Sequence, residues 1–334
     1  MNFELETDPG AIEAFLTARK WLEPGERVER AAIAGEGNMN RTVRVSTDRR
    51  SVVLKQSRPY CVKFPDIPAP IERLAVEVDF YTRASASPTL AARMPRVLAF
   101  DREDFVAMIE DLGEANDLLG LYTGERLGSG DLDALCAFAR ELHQLPLDDG
   151  ARASLANHDM RALNHEHIFE VPLDPGNGLD LASITPGLGE VAAELQADDD
   201  YVAEVVGLGM VYTSADGPCL LHGDYYPGSF LRTDDGLRVI DPEFAFPGPA
   251  EFDLGVLASH LVFGGATVDV LDRIGASYAR PLERRLLEGF AGTELMRRLL
   301  GVSQLPLDAD LTRKREWLAL SYRWVTGRAW PGSA

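Results

Sequence analysis

Cysteine is nearly absent. Cys61, Cys136 and Cys219 are the three in 334 residues, far apart and odd in number. That argues against a disulfide framework and a cysteine-built zinc site, and favours three buried thiols in a reducing compartment. Long apolar runs are missing too. No stretch approaches the roughly 20 residues that span a bilayer. The opening MNFELETDPG carries acids where a secretory signal would carry an apolar core. The expectation is a cytoplasmic chain with no membrane partner. Positive charge is in deficit, with 33 Lys and Arg against 53 Asp and Glu, a net −20. A surface of that sign repels a phosphate backbone, so nucleic acid is a poor candidate partner. Histidine is sparse, six in all.

What is present changes texture along the chain. Asp8-Pro9 reads as an N-cap and first-turn proline opening a helix that runs to about Trp21. Three β-like runs follow, near Val28–Ala34, Arg41–Thr47 and Val52–Gln56, the last two joined by a turn at 47–50. A proline-broken loop covers Pro59 to Pro70. An amphipathic helix spans Ile71 to Ala84, and two further strands Arg96–Phe100 and Phe105–Ile109. From Asp131 the pattern is helical: Leu132–His143, Met160–Ile168, Leu188–Leu208, Glu251–Val262, Val268–Ala279, Leu282–Leu300 and Leu311–Val325. One β island, Cys219–His222 with Phe230–Ile240, interrupts it, and Asp198-Asp199-Asp200 reads as a solvated loop. The expected fold is α+β: a small β-rich N-terminal lobe, residues 1–112, before a large mainly helical C-terminal lobe, residues 113–334.

The chemistry concentrates in CLLHGDYYPGSFLRTDDGLRVIDPEFAFPGPAEFDLG, Cys219 to Gly255. An apolar strand runs into His222-Gly223-Asp224, which holds the Asp224 carboxylate rigidly, with the Ser229 hydroxyl five residues on. A hairpin returns to Asp241-Pro242-Glu243. Proline disfavours the helical conformation at the residue before it, so Asp241 is expected to be extended. Residues i and i+2 of an extended chain share a face, so both carboxylates could meet one hard cation. Mg²⁺ is typically held by one or two carboxylates together with substrate phosphates and water. Asp224 would then accept a proton from an attacking hydroxyl, with Asp241 and Glu243 on Mg²⁺ and ATP. His-Gly-Asp alone is a common turn and Asp-Pro-Glu is weaker still; it is their joint spacing, each after an apolar strand, that carries weight.

Upstream, Gly35-Glu36-Gly37-Asn38 lies between two expected strands, where backbone amides can approach phosphates without a Cβ in the way. It is not a Walker loop. Lys55 ends the apolar run Val52-Val53-Leu54 and by itself would be read as an exposed strand end.

Together these patterns resemble the aminoglycoside phosphotransferase and choline kinase superfamily. VIDPEFAFPGPAEFDLG, HGDYYPGS, VLKQSRPY (Val53–Tyr60), RALNHEHIF (Arg161–Phe169) and GTELMRRLLGVSQL (Gly292–Leu305) are similar to the methylthioribose kinase family within it. The resemblance implies a protein-kinase-like fold and ATP- and Mg²⁺-dependent phosphorylation of a sugar hydroxyl. It implies that Lys55 contacts phosphates with Glu77 orienting it, and that Glu110-Asp111-Leu112 forms a hinge where adenine meets backbone groups. Ser229 falls on the cofactor side. Arg297 and Arg298 would contact the sugar, and homodimers are common in the family.

Two departures touch the acceptor. Leu-His-Thr-Gly-Ser is usual after the catalytic aspartate, whereas here Tyr225-Tyr226-Pro227-Gly228-Ser229 follows, placing two aromatics beside the acceptor position. The loop after the lysine strand, Cys61–Pro70, lacks the family's tryptophan. The resemblance implies methylthioribose or a related sugar as the small-molecule acceptor, and the two departures bear on that identity. An aminoglycoside, an amino alcohol or homoserine is the same-class alternative, and a catalytically inactive nucleotide-binding regulator is another. Retention of Lys55, Asp224, Asp241 and Glu243 speaks against the inactive reading. Metal-dependent phosphohydrolases also use His-Gly-Asp, but they need several histidine ligands, and only His260 follows Asp224.

Overall fold

The structure is a computed structural model that describes residues 3–35, 39–214 and 217–333. Two compact units result: Met1–Asn116 with Arg232–Ala245, and Asp117–Leu231 with Phe246–Ala334. A β-rich unit thus precedes a helical one, the α+β class expected. The sequence division after Leu112 lies close to the end of the first segment. The return of the hairpin is a correction, because Arg232–Ala245 groups with the first unit and not with the helical one. Hydrogen bonds explain why: Val239 N donates to the Arg93 carbonyl at 2.8 Å, and Asp241 N to the Tyr81 hydroxyl at 2.9 Å.

In the first unit, the helix Pro9–Ala18 starts where expected, capped by Asp8 Oδ1 accepting from Ala11 N at 2.9 Å. Its buried Ile12, Phe15 and Leu16 pack on Val43, Val45, Val52, Leu54, Val106 and Met108. Those residues come from a five-stranded antiparallel sheet in the order Val28–Ile33, Arg41–Thr47, Ser51–Gln56, Val106–Glu110, Val97–Asp101. Side chains alternate along a strand, so Val52 and Leu54 in the core send Lys55 to the other face. There the helix Arg73–Ala84 contributes Glu77. The expected proline-broken loop holds a small hairpin, Tyr60–Cys61 with Phe64–Pro68. A two-stranded ladder has only edge strands, so Pro65 and Pro68 are tolerated in it.

In the second unit, the helix expected over Leu188–Leu208 is two helices, Leu188–Gln196 and Asp199–Thr213. Asp198 caps the second by accepting from Tyr201 N at 2.9 Å. Asp199 and Asp200 fill its first turn, where acids suit the helix dipole, so the acidic run is an N-terminus and not a loop. The strand Cys219–Leu221 pairs antiparallel with Phe246–Gly248 and delivers His222-Gly223-Asp224. The helix Ala250–Phe263 packs beside it, Arg284–Leu300 packs on that helix, and Leu311–Thr326 on Arg284–Leu300. Among the described residues no helix is long and apolar enough to cross a membrane.

The approach of the first two of these helices depends on Gly255. A Cβ there would lie 2.9 Å from both Ala291 N and Phe290 Cβ, and the first of these is backbone that cannot swing aside. Gly255→Ala should gain about 1 kcal/mol of helix propensity and lose about 1–3 kcal/mol to overpacking. The expected result is a lower urea midpoint than wild type; an equal or higher midpoint would contradict the close packing.

Candidate active site

Chemistry-bearing side chains gather in two clusters, one in each unit. In the first unit Lys55 Nζ donates to Glu77 Oε2 at 2.6 Å and contacts Asp241 Oδ1. The Lys55 side chain is 7% exposed, Glu77 2% and Asp241 41%. Burial alone would push the ammonium down, but Asp241, Glu77 and Glu243 outweigh it and hold Lys55 above its ordinary range, fully charged. Burial raises Glu77 to about 7, against the opposing pull of Lys55.

Glu243 lies deeper. Its Oε2 accepts from Asn40 Nδ2 at 2.8 Å and lies 3.1 Å from Arg73 Nε. Burial, reinforced by the Asp241 charge, raises it to about 8. The fully buried Arg73 organises this corner. It donates to Asn40 Oδ1 at 3.0 Å and to the carbonyls of Met39, Arg58 and Pro70 at 2.7, 2.7 and 2.6 Å. One guanidinium thereby ties the chain beyond the glycine loop to the carboxylate at 243. Nothing in the sequence singled Arg73 out; it opens an amphipathic helix like any polar residue.

Asp241 departs from expectation. Its φ is +67°, in the left-handed region and not extended. Aspartate tolerates that region better than most side chains, though it still costs roughly 1 kcal/mol. The hydrogen bond from its N–H to Tyr81 and the contact of its carboxylate with Lys55 hold it there. The rule that i and i+2 share a face of extended chain therefore does not relate Asp241 to Glu243. What relates them is charge, since the Asp241 carboxylate adds to the cost of ionising Glu243.

In the second unit, the loop 222–224 is held from beneath by Asp253. Its Oδ2 accepts from His222 N at 2.8 Å and its Oδ1 from Gly223 N at 3.0 Å, while His143 Nε2 lies 3.1 Å from Oδ2. Asp253 and His143 are both buried, and neither was singled out from sequence; the Asp-Leu pair in the quoted motif was the available signal. Asp224 Oδ1 accepts from Arg298 Nη2 at 3.3 Å, and Arg297 Nη2 approaches it to 3.8 Å. Burial raises the Asp224 carboxyl above its ordinary value, with Arg298 and Arg297 pulling the other way. The structure thus brings Arg297 and Arg298 to Asp224. It also supplies Glu294, which accepts from Arg297 Nε at 2.5 Å and Arg298 Nε at 2.7 Å. Sequence reasoning missed Glu294, although its i,i+3 and i,i+4 spacing from the arginines was readable. Tyr226 lies half-buried, its ring 5.0 Å from Arg298 Cζ.

The remaining expected residues separate. Gly35 has φ +78° and lines a cavity of about 300 Å³ with Ile33, Thr42, Arg41 and Lys63. Gly37 and Asn38 lie outside the described residues. Glu110 pairs with Arg96 at 3.2 Å, which lowers its carboxyl below the usual value, and Leu112 is half-buried. Ser229 is buried and donates to the Asp224 carbonyl at 2.8 Å, so its hydroxyl braces the loop. Tyr225 is a correction. It is wholly buried, donates to the Leu135 carbonyl at 2.9 Å and packs on Phe138 and Phe230, so it belongs to the core and not to an acceptor pocket. Consecutive side chains of a non-helical segment face opposite ways, so only one tyrosine of the pair can stand beside Asp224.

Among the described residues no group of three or more His, Cys, Asp or Glu side chains is arranged to hold a metal ion. Asp241 and Glu243 are hard oxygen donors, and the first cluster carries three acids against Lys55 and Arg73. That surplus of negative charge suits a divalent cation that takes its remaining oxygens from phosphate and water.

The profile of the phosphotransferase enzyme family, APH, matches residues 31–290. A methylthioribose kinase from Exiguobacterium sibiricum is 27% identical over 320 residues, covering 83% of this chain and 80% of its own. One from Geobacillus thermodenitrificans is 26% identical over 355 residues, covering 88% and 86%. Among solved structures, spectinomycin phosphotransferase APH(9)-Ia in complex with ADP and spectinomycin superposes with a TM-score of 0.59 over 97% of this chain and 99% of its own, at 11% identity. That likeness is one of fold.

His260 gives the second unit a pH signature. It is wholly buried, and burial lowers it from the ordinary 6.5 to about 4. The unfolded chain binds a proton there between those values and the native chain does not, so stability rises with pH through that window and is lost as pH falls. The shift corresponds to about 3 kcal/mol. Urea unfolding at pH 7 and pH 5 should show wild type losing more stability on acidification than His260→Gln. Equal losses would mean that His260 is not held neutral.

Proposed function

The chain belongs to the APH phosphotransferase enzyme family, and from that premise we propose that it is an ATP-dependent small-molecule kinase whose acceptor is a sugar hydroxyl, methylthioribose or a related sugar. The observation that carries the reading is Asp224, on a loop braced by Asp253, with its Oδ1 turned to the Arg297–Arg298 pair.

In this reading Asp224 Oδ1 is occupied by Arg298, and Oδ2 takes up the proton of the acceptor hydroxyl as it attacks. The raised pKa of the carboxyl makes it a better proton acceptor than an exposed aspartate. Lys55, charged and oriented by Glu77, holds phosphate oxygens, with the backbone around Gly35 as a second phosphate contact. Residues 110–112 provide backbone groups for adenine. Asp241 and Glu243 would hold Mg²⁺, which when bound neutralises charge on the phosphate oxygens. Bound there, a dication would favour ionised Glu243. Action on free small molecules in the cytoplasm goes with this reading.

Two arginines beside Asp224, together with Tyr226, favour a polyhydroxylated acceptor over a cationic one. Fixed guanidinium donors suit hydroxyl oxygens, whereas they offer an ammonium group no acceptor. That observation sets an aminoglycoside or an amino alcohol behind a sugar.

Asp224→Ala should lower turnover by about 10²–10⁴-fold, the usual contribution of a positioned base, with ATP affinity nearly unchanged. Near-normal turnover would remove Asp224 from the mechanism. ATP consumption with Mg²⁺ should be selective for methylthioribose in a panel with ribose, aminoglycosides, choline and homoserine. Selective use of choline or an aminoglycoside would keep the kinase and replace the acceptor.

A further inference from the structure

Glu294 is buried to 1% exposure on the helix Arg284–Leu300, and three donors converge on it. Arg297 Nε and Arg298 Nε reach it at 2.5 and 2.7 Å, and His260 Nε2 lies 2.9 Å from Oε1. Both arginines therefore show their inner Nε edge to Glu294 and their outer Nη2 to Asp224. A guanidinium is planar, so fixing one edge fixes the direction of the other nitrogens.

The pair is not symmetric. Arg298 reaches Asp224 at 3.3 Å, within hydrogen-bonding distance, and has the Tyr226 ring 5.0 Å from its Cζ. Arg297 comes no closer to Asp224 than 3.8 Å, too far for a hydrogen bond. The count of charges is balanced, two arginines against Asp224 and Glu294. Without Glu294, both full positive charges would fall on Asp224.

The far side of Glu294 is equally constrained. Its carboxyl is held well below the usual range because the nearby arginines more than offset burial, so it is an acceptor only. His260 must then donate from Nε2, which leaves Nδ1 as an acceptor for the Tyr122 hydroxyl. Glu294 thus sets the tautomer of His260, Tyr122 braces the ring from its other side by donating to Nδ1, and His260 occupies one acceptor site of Glu294 without adding a charge that would compete with Arg298.

We propose that Glu294, braced by His260 and through it by Tyr122, is a positioning residue that divides the arginine pair: Arg298 is committed to Asp224, and Arg297 is left for the oxygen atoms of the acceptor. The proposal rests on the reading of Asp224 as the catalytic carboxylate.

The experiment is steady-state kinetics of Glu294→Gln with Mg²⁺ and ATP, on whichever acceptor of the panel wild type phosphorylates. Loss of a hydrogen-bonded charge should raise the acceptor KM by about ten- to a hundredfold while the ATP KM stays within about twofold. The acid limb of kcat/KM should move to lower pH, because Asp224 then faces both arginines without the opposing carboxylate. The other titratable groups around Asp224, namely His222, Tyr122, Tyr212, Tyr226 and His260, are unchanged in the variant. A folded Glu294→Gln with an unchanged acceptor KM, or one whose ATP and acceptor KM rise together, overturns the proposal. If that variant does not fold, Tyr122→Phe decides. It removes one hydroxyl and should raise the acceptor KM about threefold with the ATP KM unaltered, the loss of a neutral hydrogen bond acting at a distance; no change overturns the proposal. Failure of wild type on methylthioribose alone refutes the acceptor and not this arrangement. If wild type phosphorylates nothing in the panel, the arginine side-chain N–H resonances decide. Exchange-protected Nε–H signals of Arg297 and Arg298 that vanish in Tyr122→Phe or Glu294→Gln support the arrangement, and signals that persist refute it.

Discussion

Lys55 carries a full charge where 7% of its side chain meets solvent. An unpaired ammonium in such a place would cost several kcal/mol or give up its proton. Glu77 and Asp241 make the position tenable, and they arrive from a helix and from a hairpin return nearly two hundred residues downstream. The first unit is therefore closed by charge matching as well as by its apolar core, and Arg232–Ala245 is held in it by the Lys55–Asp241 pair together with the hydrogen bonds to Arg93 and Tyr81. Arg73 and Glu243 repeat the pattern one layer deeper. In each case breaking the pair by removing one partner would be worse than replacing both, because a lone buried charge would remain.

The two clusters solve the same constraint with different outcomes. The first has three acids, Glu77, Asp241 and Glu243, against Lys55 and Arg73. Burial, with the charge of Asp241 added to it, displaces the carboxyls of Glu77 and Glu243 upward to about 7 and about 8. A site of that kind has room for more positive charge. The second balances Asp224 and Glu294 against Arg297 and Arg298, and keeps His260 neutral so that the balance is not disturbed. A balanced site suits an uncharged acceptor, whose hydroxyls need oriented donors and one proton acceptor more than a counter-ion.

Much of the framework was legible because it rests on local patterns. The strands Arg41–Thr47 and Ser51–Gln56, the capped helix from Pro9 and the helices after Ala250 follow from periodicity and caps. Asp224 and the Asp241-Pro242-Glu243 return were visible as acids directly after apolar strands. The failures share a cause. The left-handed turn at Asp241 is held by Tyr81 and Lys55, which overrides the preference of a residue before proline. Tyr225 and Tyr226 look alike in sequence, and only packing against Phe138 and Phe230 sends the first into the core.

By itself, the sequence determined the order of a β-rich segment before a helical one, the family, and which acids and bases are available for chemistry. Those are properties of side-chain period, turn chemistry and motif spacing, which act over a few residues. Tertiary structure alone decided which polar groups partner across long stretches of chain. Lys55 with Asp241, Arg73 with Glu243, His143 with Asp253 and Tyr122 with His260 are each separated by more than a hundred residues. Electrostatic pairing acts through space, so nothing in linear spacing announces it until the chain has folded and burial has made an unpaired charge too costly to keep.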